Sequence, residues 1–278
     1  APPTGTPVSD TANISGATSN ILHFNQATLA DAGSYYVVIS GEAGCSPVTS
    51  NVVTLNVDQA ITITQQSQSQ TVCAGGNVTF SVAADAGGDP LTYVWRRNGT
   101  PIPGAPNAPS YTINNIIQSE AGSYDVLISG TAGYTCSSVQ SQPAVLTVNP
   151  IPDVTATPSE QTICSGSPAS ISLTGDVAGT TYSWSVVQSG VTGAISGSGT
   201  VINQTLTATG TDQGSAVYYV TPTANGCSGS PVEVIITIDS LSVGGTISPS
   251  NYVICYGVDS PLLILSGYNG NVLRWESW

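Results

Sequence analysis

The chain has 278 residues, of which only 7% are charged, with no Lys, three Arg and sixteen Asp plus Glu, for a net charge of −13. Charge of that sign repels phosphate backbones and anionic headgroups, which excludes nucleic acid and anionic membrane surfaces as partners. No apolar run reaches the roughly 18 residues of a membrane span, and Ala1 opens no signal-peptide pattern.

The six cysteines set the organisation. Cys45, Cys136 and Cys227 are spaced by 91 residues, and so are Cys73, Cys164 and Cys255. A fixed period of this length marks a repeat architecture. Cys73 and Cys136, like Cys164 and Cys227, are 63 apart, and each pair is expected to close one module as an internal disulfide. Cys45 and Cys255 have no partner at that spacing, so theirs are expected outside the 278 residues. The predicted domains are 1–57 (the C-terminal part of a module), 58–149 (a complete module), 150–238 (a third module) and 239–278 (the N-terminal part of a further one). Regular paired cysteines belong to an oxidising location, outside the cell or on its outer surface.

In residues 1–57, the run from Ile21 to Cys45 reads as strand, corner and strand, and VTSNVVTLNV up to Val57 as the last strand. GTPV at Gly5–Val8 matches GTPI at Gly99–Ile102, which places its start near a third strand. In residues 58–149 the alternating runs ITIT, NVTFSV, LTYVW, YTINNI, YDVLIS and AVLTV are separated by Gly, Pro, Asn and Asp clusters, the pattern of short strands. Alternate strand residues share a face, so Val78, Phe80 and Val82 should point inward together, as should Tyr93 and Trp95. The segment EAGSYDV, Glu120 to Val126, resembles the immunoglobulin signature D-x-G-x-Y-x-C, with Tyr124 as the tyrosine corner. The resemblance implies a β-sandwich in which Val82 and Val126 occupy the family's disulfide positions and pack beneath Trp95. The disulfide would have moved outward to Cys73–Cys136, worth ~4 kcal/mol by chain entropy.

Residues 150–238 follow the Pro-rich NPIPDV, with Ile171 and Leu173 at the positions of Phe80 and Val82 and Trp184 on the third strand. Only Tyr218 or Tyr219 remains there as a corner tyrosine. TICSGSP, TYSW and TPTANGCSGSP resemble the PKD-like repeats of long cell-surface proteins of Bacteroidetes. GGTISPSNYVICYG, in residues 239–278, is similar to repeats of the giant gliding-motility adhesins of that phylum. The resemblance implies type IX secretion and attachment at the outer surface. It also implies O-glycosylation at Thr11 in Asp10-Thr11-Ala12 and at Ser240 in Asp239-Ser240-Leu241. The Asn-x-Ser/Thr sequons at Asn13, Asn77, Asn98 and Asn203 are expected by chance in so Thr- and Ser-rich a chain.

Chemistry has little raw material. His23 is the only histidine and lies in the alternating run ILHFN, where it reads as an ordinary strand residue, and Lys is absent; a Ser-His-Asp triad or a lysine base has almost no raw material, and no catalytic residue is assigned. Asp85 and Asp89 are the nearest approach to a calcium loop, but two carboxylates are too few and a solvated acidic loop is the better reading. Cys-x-x-Cys spacing is absent, and no metal or cofactor is expected. Exposed tyrosines and the pair Trp275 and Trp278 are a candidate carbohydrate platform, set against the commoner fate of strand aromatics as core.

The sequence therefore predicts an all-β chain of tandem immunoglobulin-like and PKD-like β-sandwich modules in an extended rod. Its expected role is a non-enzymatic stalk or filament segment of a large secreted surface adhesin, of the gliding-motility kind. The alternatives are a carbohydrate- or ligand-binding module and a spacer within a secreted hydrolase. Expected partners are neighbouring modules of the same long chain, or identical copies completing a module across a filament junction, and a surface glycan or substratum. Three periods carry Cys45 onto the position that Cys255 needs, which is the basis of the filament alternative.

Overall fold

The computed structural model describes residues 5–42, 45–260 and 262–277. Apart from the 3-10 turns Leu29–Asp31 and Gln118–Glu120, every regular element among them is a strand, as the short alternating runs require. Contacts divide the chain into two compact units, one made of 1–72 and 76–147 and the other of 73–75 and 148–278.

The complete sandwich of the first unit is built on the strand Leu91–Arg97, which pairs antiparallel with Gly122–Gly130 along its whole length, Trp95 opposite Val126. Its sheet runs in the order Thr100–Pro101, Leu91–Arg97, Gly122–Gly130, Ala144–Asn149, Gln70–Cys73, with Val139–Gln140 also on Gly122–Gly130. The second layer consists of Val78–Ser81 paired with Ser110–Ile113, and Thr62–Gln65 paired with Ala83–Asp85. Ring contacts join the layers: Phe80 stacks on Tyr124 at 4.8 Å between centroids, and Tyr111 on Trp95 at 6.0 Å. Val78, Phe80, Val82, Trp95, Tyr124, Val126 and Ile128 are all buried, whereas Tyr93 is only half-buried. Val82 and Val126 thus sit in the core as two apolar side chains at the family's disulfide positions. Each fully buried side chain of this size contributes about 1.5–3 kcal/mol.

The sandwich of the second unit repeats the scheme with longer strands. One sheet runs Thr155–Thr157, Ser167–Thr174, Val201–Ala208, Val191–Thr192; the other runs Glu160–Cys164, Val232–Asp239, Gly214–Ala224, Thr181–Ser189, Gly197–Ser198, with Cys227–Ser228 folded back on Gly214–Ala224. Glu160–Cys164 is parallel to Val232–Asp239, with Cys164 beside Asp239. Strict alternation along Ser167–Thr174 and Gly214–Ala224 delivers Ala169, Ile171, Leu173, Ala216, Tyr218 and Val220 to one core with Trp184, Ile202, Leu206 and Ile236.

Residues 5–57 and 240–277 carry strands too, Gly33–Tyr35 with Val53–Leu55 and Val243–Ser248 with Ile264–Asn269 among them. No described residue of either segment is buried.

Candidate functional site

The cysteines are the most distinctive candidate residues, and the structure changes their assignment. Cys73 is bonded to Cys227, with Cα atoms 5.7 Å apart and 154 residues between them, while Cys45, Cys136, Cys164 and Cys255 are free. The expected Cys73–Cys136 and Cys164–Cys227 bonds do not form, for a reason of strand length. In the second sandwich Cys164 lies beside Asp239, next to the start of the eleven-residue strand Gly214–Ala224, and Cys227 pairs with Ala224 at its far end. At about 3.3 Å per residue the two are roughly 30 Å apart, far beyond the ~7 Å between Cα atoms that a disulfide tolerates. The first sandwich is alike: Ala74 N–H donates to Asn149 O at 2.9 Å, by the start of Gly122–Gly130, and Cys136 lies past its other end. The 91-residue period is compatible with separations of 63 and of 154, and spacing alone does not choose between them.

The surroundings of Cys227 explain its availability. Asn225 and Gly226 turn the chain with positive φ (51° and 79°), and Asn149 Nδ2 donates to Asn225 O at 2.9 Å. Gly229 comes next, where a Cβ would overlap the carbonyl of Pro152. Cys227 itself is buried. A bond closing a loop of this size stabilises by about 5 kcal/mol on chain entropy.

The aromatic positions are sharply defined. Tyr124 is a tyrosine corner: its hydroxyl donates to Glu120 O at 2.7 Å, and Tyr35 does the same to Asp31 O at 2.7 Å. Burial pushes the Tyr124 phenol up, partly offset by Arg97. Asp31 accepts from the backbone N–H and the hydroxyl of Thr28, both at 2.8 Å, and these bonds hold its carboxyl below the usual range. Both tryptophans point their indole N–H at a carbonyl, Trp95 to Ala108 O at 2.9 Å and Trp184 to Ile195 O at 3.2 Å.

The second sandwich has no tyrosine corner at Tyr218 or Tyr219. Tyr219 faces outward. Tyr218 is buried, and its hydroxyl bonds Gln204 Oε1 at 2.8 Å on the opposite sheet; burial raises its pKa to about 12. Gln204 also accepts from Ile195 N at 2.9 Å and donates to Ile195 O at 2.8 Å, so one amide secures both Tyr218 and the loop that receives Trp184. Sequence reasoning missed this amide, because no local motif marks a partner fourteen residues from its tyrosine. It also missed the ion pair of Arg96 with Asp125 at 2.6 Å, nearly buried on the outer face of the first sandwich. Cross-strand opposition of the two residues was the available signal.

The remaining candidates stay apart. His23 is exposed in the strand His23–Phe24, its Nδ1 3.1 Å from Asn25 Oδ1. Asp85 Oδ1 accepts from Gly87 N–H at 3.1 Å and Oδ2 from Gln59 at 3.2 Å, and no group of three or more metal-binding side chains occurs among the described residues. Thr11 Oγ1 caps a turn, accepting from Ile14 N–H at 3.0 Å, and Ser240 Oγ accepts from Asn269 at 2.6 Å. Trp275 is exposed, and Trp278 lies outside the described residues. A depression of about 540 Å³ beside Arg97, Tyr111, Glu120 and Tyr124 holds one cation, and that cation is committed to Ser119 O at 3.2 Å. No described helix is long and apolar enough to cross a membrane.

Comparison with known proteins agrees with this anatomy. The immunoglobulin domain family matches residues 61–129, and the PKD-like domain family matches residues 161–241. The decoration protein of Escherichia phage T5 is 38% identical over 82 residues, 30% of this chain and 48% of the relative, so the chain spans about half of that protein's length. Two structures of a three-immunoglobulin-domain I-band fragment of titin, one an E-to-A mutated variant, each align with 84% of this chain and 84% of their own at 14% identity and TM-score 0.53. At that identity the likeness is one of fold.

Proposed function

We propose that the chain is a non-enzymatic structural segment of a large secreted surface adhesin, in which immunoglobulin-like and PKD-like modules space and display an adhesive region. The observation that carries this reading is the pairing of two densely cored sandwiches with a disulfide that spans 154 residues. That arrangement favours holding over converting: Tyr218 is bonded to Gln204 across the core, and Asp125 to Arg96 on the outer face of the first sandwich. Within this reading the chain belongs to an adhesin of the gliding-motility type, exported by a type IX system to the outer cell surface and carrying sugar at Thr11 and Ser240.

Antibody against residues 58–238 tests the reading. It should label intact cells of the source, and deletion of the segment should reduce attachment to a substratum while leaving secreted hydrolase activities unchanged. Labelling only after lysis, or loss of a hydrolytic activity, contradicts it. The carbohydrate-binding alternative rests on exposed Trp275 and is tested on a glycan array, where the adhesin-segment reading expects no signal from the purified chain.

A further inference from the structure

The cysteines of the two sandwiches fall into two structural classes. One class ends a strand lying beside the module's last strand: Cys73 ends Gln70–Cys73 and Cys164 ends Glu160–Cys164. Beyond both cysteines the chain turns in the same way. Ala74 N–H donates to Asn149 O at 2.9 Å and Ser165 N–H to Asp239 O at 2.8 Å, while Gly75 and Gly166 take φ of 80° and 83°. The other class sits after the strand that carries Tyr124 or Tyr218. There a residue leading into the module, Asp58 or Asn149, pins the chain next to the cysteine. Asp58 Oδ2 accepts from Thr135 N–H at 2.7 Å, and Asn149 Nδ2 donates to Asn225 O at 2.9 Å. Asp58 and Asn149 are themselves 91 residues apart.

Cys73–Cys227 joins a strand-end cysteine to the turn cysteine one repeat later, and strand length forbids the two classes from meeting within a module. We infer that Cys136 and Cys164 are halves of the same staple: Cys136 takes the strand-end cysteine of a preceding repeat, and Cys164 the turn cysteine of a following one. Both are free and reachable, Cys164 exposed and Cys136 half-buried with its sulfur 3.4 Å from Asp58 O. A separation of 154 from either falls outside the 278 residues, so the partner is another repeat, in the same polypeptide or in a second copy. In a row of copies repeating every three periods, Cys255 takes the strand-end position for Cys136, and Cys45 the turn position for Cys164. The inference rests on the chain being a run of repeats and is independent of adhesion. Each staple makes one S–S bond from two thiols; two protons and two electrons leave, accepted by the disulfide of a thiol oxidoreductase, which is reduced to a dithiol.

The test is peptide mapping of the native, unreduced protein after alkylation of free thiols under denaturing conditions, digesting with a protease other than trypsin. Cys136 and Cys164 should both be missing from the alkylated pool, each linked to a cysteine peptide of another repeat. A band whose mass falls on reduction assigns the partner to a second copy, and an unchanged mass assigns it to the same polypeptide; either supports the staple. Alkylated Cys136 or Cys164, or links Cys73–Cys136 or Cys164–Cys227, overturns it. In a Cys73→Ser variant Cys227 should become alkylated; a new Cys164–Cys227 link there would equally refute the two-class assignment.

Discussion

The two complete sandwiches bury the same pair of aromatic residues and secure them differently. In both, the tryptophan spends its indole N–H on a carbonyl of the loop after its strand, at Ala108 and Ile195. The tyrosines diverge: Tyr124 bonds a backbone oxygen four residues back, whereas Tyr218 reaches across the core to Gln204. A buried phenol needs a partner in either case. A corner supplies one locally and leaves a signature in the sequence. A cross-core amide supplies one at a distance and leaves none, but it couples the tyrosine to the tryptophan loop through a single side chain.

The largest effect expected from breaking this comparison is at the tryptophans. Trp95→Ala and Trp184→Ala should each cost about 3–5 kcal/mol in denaturant unfolding, with Trp95, 1% exposed against 8%, nearer the upper end. Next is the ion pair peculiar to the first sandwich. Asp125→Ala strands Arg96 in a half-buried site and should cost about 1–3 kcal/mol, with unfolding of the second sandwich unchanged. The second sandwich should show an asymmetry. Gln204→Leu leaves the Tyr218 hydroxyl and the Ile195 N–H without partners, about 1–3 kcal/mol, while Ile195 O keeps the Trp184 indole; Tyr218→Phe leaves Gln204 bonded to Ile195 and should cost about 1 kcal/mol. Equal losses would show that the amide does not couple the two.

Smallest are the pH effects. Tyr218 has an ordinary pKa of 10.0 and about 12 in the fold, so its neutral form is favoured by folding. Its contribution is complete below pH 10 and is lost as pH rises toward about 12, and Tyr218→Phe should make that alkaline decline shallower. Asp31 has the opposite sign. Its lowered pKa gives a contribution present above the ordinary value of 3.8 and lost as pH falls below it, which Asp31→Asn should remove.

Much of the fold was legible because its information is local. Two-residue alternation in NVTFSV and LTYVW states which side chains face inward, and EAGSYDV states a corner. The resemblance of EAGSYDV to the immunoglobulin signature placed Val82 and Val126 as apolar stand-ins for a disulfide, and both are buried. The cysteine pairing was not legible. A period of 91 fits a partner within the module as well as one in the next, and only the length of Gly214–Ala224 separates the two. Gln204 and the Arg96–Asp125 pair were hidden for a related reason: their partners are set by register across a sheet or across the core, which no run of neighbouring residues records.

The central claim, that Cys73 is bonded to the turn cysteine of the next repeat and not within its own module, is tested most directly by stretching the single molecule from residue 1 to residue 278. The Cys73–Cys227 bond carries force past the residues between it, so the fully unfolded oxidised chain should be shorter than the reduced one by the contour of 154 residues, roughly 500–550 Å at 3.3–3.6 Å each. Reductant should release that length. Equal contour lengths with and without reductant would contradict the account, and release in two separate steps of about 210–230 Å each would restore the two 63-residue bonds within the modules.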